Sequence, residues 1–544
     1  MKTKLCTTFF LLLIAYYSSS QVMQEWASRY DAFSLSESGR AITVDAFGNV
    51  YVTGVSGDPS TGGTPSQDYA TVKYNPAGAQ QWAKRYNGPG NSADAANAIA
   101  VDALGNVIVT GTSVSFGTNW DYYTIKYNSI GDTLWRRRYD SPISAVDNPV
   151  AVVVDSLNNI YITGSSREGF SPTNQWATIK YSASGALLWL KHNNFCGGSD
   201  NNPYAMVLNG GFIFITGATT NIAGDLDFLT IKQDALTGDT IWTRTFNGTS
   251  GGNDVANDIF ADSSGNIYVT GKSQYSGTSS TTDYLTIKYD SFGTQLWTRV
   301  YDGTPTGDDA AVSVAVNDSG YVFVTGYSQG ASFDYDYATV KYNAVGTQQW
   351  VKRYNGTVSA DDKASDLILD KKGNVYVTGY SKGTGTYTQY TTISYNNAGG
   401  QKWIMHYNGP VTAGIDEASA IAIDDSANVY VTGKSEGTGT ATDYLTIKYS
   451  QTTVGINSPE GISFSQGIYL FPNPIKTTLT IISRQGNIKE IEIYNALGQK
   501  QHPSILQSID VDGFNLDVSG LNSGIYFVRV SNGENTNTQK FIIQ

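Results

Sequence analysis

Short runs of β-branched and aromatic residues, four to a unit and set off from polar stretches by Gly, Asn or Asp, recur along this chain between residues 25 and 449. Such runs mark strands, and the bounding residues mark tight turns. In residues 98–139, strand a is Ala98-Ile-Ala-Val-Asp102, and a Leu-Gly-Asn turn leads into strand b, Val107-Ile-Val-Thr-Gly111. A longer polar loop precedes strand c, Asp121-Tyr-Tyr-Thr-Ile-Lys-Tyr127, and a turn at Gly131 delivers strand d around Trp135. Four strands joined by short connections predict an antiparallel meander, the blade of a β-propeller.

The unit repeats. Trp26, Trp82, Trp135, Trp189, Trp242, Trp297, Trp350 and Trp403 are separated by 53 to 56 residues, and Thr-Gly pairs ending at Gly54, Gly111, Gly164, Gly217, Gly271, Gly326, Gly379 and Gly433 keep the same beat. Such a period is the mark of a repeat architecture. The array begins with an orphan strand d, Glu25-Trp-Ala-Ser-Arg-Tyr30, and its last unit stops after strand c at Asp443-Tyr-Leu-Thr-Ile-Lys-Tyr449. Pairing these two ends removes both unpaired edges, so the expected fold is all-β: an eight-bladed β-propeller closed by its N-terminal strand over residues 21–449. An open β-solenoid is the competing arrangement. Strand a, rich in Ala and Val as in Ala311-Val-Ser-Val-Ala-Val316, is expected innermost, and the Trp of strand d is expected to fill the space between splaying blades.

The unit A-x-A-V-D-x-x-G-N-V-Y-V-T-G, then D-Y-x-T-I-K-Y and G-x-x-x-W, resembles the bacterial β-propeller repeat called SBBP, found in secreted and surface proteins. A weaker likeness is to eight-bladed quinoproteins, through Thr237-Gly-Asp-Thr-Ile-Trp242; the adjacent cysteine pair that those enzymes commonly use is missing here.

Export is expected from both ends. Lys2 and Lys4, an apolar stretch from Leu5 to Tyr17 and Ser18 to Ser20 read as a signal peptide over residues 1–20, with cleavage before Gln21. Its removal takes Cys6 and leaves Cys196 alone, so an intrachain disulfide is not expected. No later segment has the apolar length of a transmembrane helix. Periodicity stops after Tyr449, and residues 450–467 read as a linker. Beyond it, Tyr469-Leu-Phe-Pro-Asn-Pro474, Ile488-Lys-Glu-Ile-Glu-Ile-Tyr-Asn-Ala-Leu-Gly498 and Leu521-Asn-Ser-Gly-Ile-Tyr-Phe-Val-Arg-Val530 alternate as in a small antiparallel sandwich of immunoglobulin-like kind. Residues 468–544 closely resemble the type A C-terminal sorting domain of the type IX secretion system of Bacteroidetes. That resemblance implies the secretion machinery as a partner, passage across the outer membrane, and release or attachment at the cell surface.

Candidate chemistry is sparse. His192 and His406, each three residues after a strand-d Trp, are assigned to the position that Tyr or Phe fills in other units and given a packing role; His502 lies in the tail, and Cys196 has no catalytic context. An acidic position precedes strand a in nearly every unit: Glu37, Asp94, Asp147, Asp254, Asp309, Asp362 and Asp416, with Asn201 in the remaining one. A second Asp opens strand c at Asp68, Asp121, Asp227, Asp283, Asp336 and Asp443, with Gln175 and Gln389 as exceptions. Both sets are expected on one face, as two acidic rings. Two accounts stand. In one, the acids accept loop N–H groups and pair with strand-c lysines such as Lys73, Lys126 and Lys180. In the other, Asp94, Asp147, Asp254, Asp309, Asp362 and Asp416 attract a cation, Ca2+ being the hard ion that prefers carboxylate oxygen. The Asp-x-x-Gly-Asn turns, such as Asp45 to Asn49, are too short for a calcium loop and are read as hairpin turns.

The formal charge of −12, without a basic patch, disfavours nucleic acid. The variable loops between strands b and c carry Phe116, Trp120, Phe170, Tyr275, Tyr327, Tyr380 and Tyr387, aromatics suited to sugars but spread over several blades. The expected function is therefore a secreted or surface-displayed, non-enzymatic binding scaffold for a protein or glycan, with no cofactor. The alternative is a propeller enzyme, polysaccharide-degrading or quinoprotein-like, with its site in the central channel.

Overall fold

The computed structural model describes residues 21–59, 66–117, 119–142, 144–167, 173–195, 201–249, 251–275, 281–303, 307–383, 387–411, 414–452, 468–471, 477–483, 488–501, 504–510, 513–531 and 536–543. The signal peptide, Cys196, His502, Phe170 and most of the linker lie outside them. The chain divides into two compact units, Met1–Gly455 and Ile456–Gln544. Among the described residues every regular element is a strand.

The first unit contains eight four-stranded antiparallel sheets. Seven are consecutive meanders with strands in the order a-b-c-d, spanning residues 37–86, 95–139, 148–193, 201–246, 254–301, 309–354 and 363–407. The eighth takes its first three strands from Asp416–Ile423, Val429–Glu436 and Thr442–Thr452, and its fourth from Gln21–Tyr30 at the other end of the unit. In that pairing Trp26 lies opposite Lys448 and Tyr30 opposite Tyr444. The first strands of successive sheets touch one another in series, and that of the first sheet touches that of the eighth. Ala, Val and Ser suit this crowding.

The Thr-Gly beat has a steric cause. Every strand a carries a register shift opposite the Gly, as between Ala96 and Ala98 across from Gly111. There the strands approach so closely that a Cβ on Gly111 would collide with the Ala95 carbonyl. The preceding Thr110 turns its hydroxyl onto that of Thr124 in strand c, 3.0 Å away, satisfying both buried groups.

Tryptophan ties each sheet to the next. Trp82 packs between Tyr51 of its own sheet and Tyr127 of the second, and its Nε1–H donates to Ser129 O in the second sheet's c–d turn at 3.2 Å. Trp135, Trp242, Trp297 and Trp350 repeat that bond to Ala183, Ser291, Ala344 and Asn397. Trp26 of the eighth sheet does the same to Pro76 O of the first, at 3.1 Å. These tryptophans are packing residues.

The second unit holds two four-stranded antiparallel sheets. Leu479, Ile481 and Leu516 from one and Ile493, Tyr526, Val528, Val530, Phe541 and Ile543 from the other share one buried cluster.

Candidate functional site

The two acidic rows meet at one end of the sheets. The backbone N–H of Asp94 donates to Gln67 O, just before Asp68, at 2.6 Å; Asp147 and Asp309 make the same link to Trp120 and Thr282. Each first-row carboxylate is wholly buried and clamps a loop. Asp94 accepts the Gly88 N–H at Oδ2 (2.5 Å) and the Val114 N–H at Oδ1 (3.1 Å). Asp309 accepts Gly303 N–H (2.6 Å) and Gln329 N–H (3.0 Å), and Asp362 accepts Gly356 N–H (2.5 Å) and Lys382 N–H (3.0 Å). Asp147, Asp254 and Asp416 hold the N–H of Ser141, Gly248 and Gly409. Burial raises all six above the usual carboxylate range, Asp362 to about 6. Glu37, which holds Ala32 N–H and Ser56 Oγ, is pushed by burial to about 7.

In four sheets the second row faces an arginine that the repeat reading did not reveal. Three residues after each Trp, strand d places a side chain beside the strand-c acid. Arg29 donates to Asp443 Oδ2 (3.1 Å), Arg85 to Asp68 Oδ2 (3.3 Å), Arg138 to Asp121 Oδ2 (2.8 Å through Nε) and Arg353 to Asp336 Oδ2 (2.8 Å). His192 and His406 stand at this same position, opposite Ala177 and Thr391 as Arg353 stands opposite Ala338. Their assignment to the Tyr or Phe position is thus corrected: that position lies one residue further on, at Tyr407 after His406 and at Asn193 after His192. Their sheets are the two that carry Gln175 and Gln389 instead of Asp. His406 Nδ1 meets Gln389 Nε2 (3.2 Å) and Thr391 Oγ1 (3.0 Å), and burial lowers its pKa.

Strand-c lysines point to the other end. Lys73, Lys126, Lys180, Lys232, Lys288, Lys341 and Lys448 each donate to a turn carbonyl of the next sheet, Ser129, Ala183, Ala235, Ser291, Ala344, Asn397 and Pro76 in order. The expected pairing with acids of the same or an adjacent blade holds at Lys126 with Asp102 (2.8 Å) and at Lys448 with Glu25 (2.7 Å), but not with the two acidic rows, because this side of strand c faces the c–d turns.

In the fourth and fifth sheets the acid remains without the arginine: Thr245 stands opposite Leu229 and Val300 opposite Leu285. At the fourth sheet a groove of about 610 Å³ opens, lined among others by Phe195, Thr219, Thr220, Asn221, Asp227 and Thr245. Asp227 Oδ1 accepts Asn221 Nδ2–H at 2.9 Å, and burial raises its pKa. Beyond the fourth sheet, Asp283, Asp302 and Asp309 bring carboxylate oxygens within 4.8 Å of one another, as do Asp121, Asp140 and Asp147. Arg138 already bonds both Asp121 and Asp140 in the latter group. Of the six first-row candidates, only Asp147 and Asp309 enter such a group among the described residues. Three carboxylates alone fall short of the six to eight oxygens Ca2+ takes.

Two further acids escaped the repeat reading because they sit inside strand a. Asp258 accepts the Val314 N–H of the next sheet (2.8 Å), and Asp366 accepts the Ile421 N–H (3.1 Å) and Ser313 Oγ–H (3.1 Å). Burial raises them to about 7 and about 6. The signal was available as an Asp at the strand-a position that holds Ala98, Ala151 or Ser313 in other sheets. The loop aromatics do not form one platform: Tyr275 stacks on Phe246, Tyr327 meets Tyr335 edge-on, and Trp120, Phe116 and Tyr387 are exposed.

Residues 469–544 match the family described as secretion system C-terminal sorting domain, and residues 241–275 and 349–385 match the β-propeller repeat. The chain thus carries SBBP-type repeats and a type IX sorting tail, which indicates export to the medium or cell surface. No curated protein matches it. Among solved structures it is similar to PorZ, a surface component of the type IX secretion system of Porphyromonas gingivalis (14% identity, 91% of this chain and 68% of that one, TM-score 0.41). It is also similar to quinohemoprotein alcohol dehydrogenase from Comamonas testosteroni (11%, 83% and 79%, TM-score 0.45) and to polysaccharide lyase Uly1 (14%, 64% and 89%, TM-score 0.40). No helix among the described residues is long and apolar enough to cross a membrane.

Proposed function

We propose that the eight sheets of the first unit close into an eight-bladed propeller and serve as an exported, non-enzymatic scaffold that binds a protein or glycan at the loop end. The second unit, an immunoglobulin-like sandwich in this reading, delivers it through the type IX route. The observation that carries the binding role is the departure from symmetry at the fourth sheet. In the first, second, sixth and eighth sheets the strand-c acid holds an arginine, whereas in the fourth sheet Thr245 takes the arginine position and a groove of about 610 Å³ opens beside Asp227. A cavity of that size with a few convergent polar groups is the usual form of a binding site. Its lining of Asn, Thr and Phe with one buried carboxylate offers orientation without a nucleophile–base pair.

The test is binding and turnover measured together on the full chain, with arrayed glycans, purified envelope proteins and polysaccharides. Saturable binding without product supports the scaffold. Specific turnover of any polysaccharide sinks it.

A further inference from the structure

The molecule contains its own template for what the groove holds. In the first sheet Arg85 Nη2 donates to Ser56 O (3.4 Å), Gly57 O (2.9 Å) and Asp68 Oδ2 (3.3 Å), and its guanidinium lies 4.4 Å over the Phe33 ring. In the sixth sheet Arg353 Nη2 donates to Ser328 O (3.0 Å), Gln329 O (3.2 Å) and Asp336 Oδ2 (2.8 Å). In the eighth, Arg29 Nη1 bonds Ser435 O (2.8 Å) and Asp443 Oδ2 (3.1 Å). One rule covers the three: a strand-c carboxylate and the closing residues of strand b hold a guanidinium from strand d.

Transferred by register, that rule lands on the groove. Ser56 pairs with Asp68 in the first sheet, as Thr219 pairs with Asp227 in the fourth, so Thr219 and Thr220 stand where Ser56 and Gly57 do. Phe195 lies on the connection into the fourth sheet as Phe33 lies on the connection into the first, and its ring is held edge-on by Trp176 at 5.3 Å. Phe195, Thr219, Thr220 and Asp227 all line the groove, while the arginine position is Thr245. Among the described residues no cation pairs with Asp227, whose recorded partner is the neutral amide of Asn221.

We infer that this groove is a guanidinium cradle whose own strand d supplies no arginine, and that it takes an arginine side chain from a partner polypeptide. The inference rests on the binding-scaffold reading and names its ligand class. Arginine fits better than lysine because its planar fork reaches carboxylate and carbonyl together and stacks on an aromatic face. A buried carboxylate gains most from such a partner, since charge-assisted hydrogen bonds are the strong ones. The groove is larger than one guanidinium, which leaves room for the flanking peptide.

The experiment is saturation-transfer NMR on the full chain with acetyl-Gly-Arg-Gly-amide, alongside counterparts carrying citrulline, the neutral isostere, and lysine. The arginine peptide is expected to bind about tenfold or more tightly than the citrulline peptide, the ratio that one charge-assisted contact supplies. Asp227→Asn is expected to erase that preference. Thr245→Arg, which restores the side chain of the sister sheets, is expected to fold, to raise the melting temperature and to block the peptide. Equal binding of arginine and citrulline peptides overturns the inference, as does a folded Thr245→Arg protein that still binds. A glycan that binds the groove while the arginine peptide does not also overturns it, and leaves the scaffold standing; polysaccharide turnover would remove the scaffold instead, so the two failures read differently.

Discussion

Glu37 shows how a single buried acid sets the pH response. Its Oε1 accepts from Ala32 N–H and Ser56 Oγ–H while Oε2 is buried without a hydrogen-bond partner, and Asp31 and Asp443 add like charge. Its folded pKa of about 7 therefore lies above the unfolded value, and Asp258, Asp362 and Asp366 shift the same way. Between the unfolded and folded pKa values the folded state binds more protons, so stability falls as pH rises through about 4 to 7 on account of these groups. Thermal melts should show a higher melting temperature at pH 5 than at pH 8. Glu37→Gln, which removes the buried charge and leaves Oε1 in place, should gain about 1–3 kcal/mol at pH 8 and nothing at pH 5. A variant equally affected at both pH values would refute that account. Gly111→Ala tests the steric role of the Thr-Gly beat: the added methyl must push two paired strands apart, a loss of about 1–3 kcal/mol or more by denaturant titration. The beat was plain in the sequence, but its reason was not, because the carbonyl it spares belongs to another strand.

Element by element, each sheet is bound to the next by groups that leave strands c and d. Trp297 and Lys288 of the fifth sheet both reach Ala344 O of the sixth, and Tyr284 Oη–H donates to Ala338 O there at 3.0 Å. Trp297→Ala opens a cavity among Tyr268, Tyr342 and Arg299 and should cost about 3 kcal/mol, with the fifth and sixth sheets losing amide protection before the others. Uniform loss of protection would show that the tie is not local. Strand identity and the a-b-c-d order were legible because β-branched and aromatic runs bounded by turn residues are local signals that depend only on near neighbours. The arginine row was not: the cation lies one place from the aromatic that caught the eye, two sheets replace it with His and two with Thr or Val, and the Arg29–Asp443 pair spans 414 residues. Asp258 and Asp366 were passed over for a related reason, since the groups that satisfy them, Val314 N–H and Ile421 N–H, belong to the following sheet.

On the scale of the first unit, the eighth sheet draws its strands from opposite ends of that unit, and that choice governs how the unit should unfold. Tyr444 Oη–H donates to Ala70 O of the first sheet at 3.1 Å, the bond that Tyr390 makes to Leu445 and Tyr337 to Thr391. Trp26 and Lys448 likewise reach Pro76 O. The first and eighth sheets are therefore joined by the contacts that join any other neighbours. In a linear array each unit depends only on those beside it, and the ends fray first. The closed ring proposed above would have no ends, so its sheets should melt together. The full chain should show one cooperative denaturant transition for residues 21–452, followed by hydrogen exchange across all eight sheets. Removing residues 21–30 takes away Trp26 and Arg29 and bares the edge of Thr442–Thr452, an apolar template for pairing between chains. That variant should unfold in steps, beginning at the eighth and first sheets, and should self-associate as its concentration rises. If it kept the single transition of the full chain, the N-terminal strand would be an accessory and the closed eight-bladed arrangement would have to be given up.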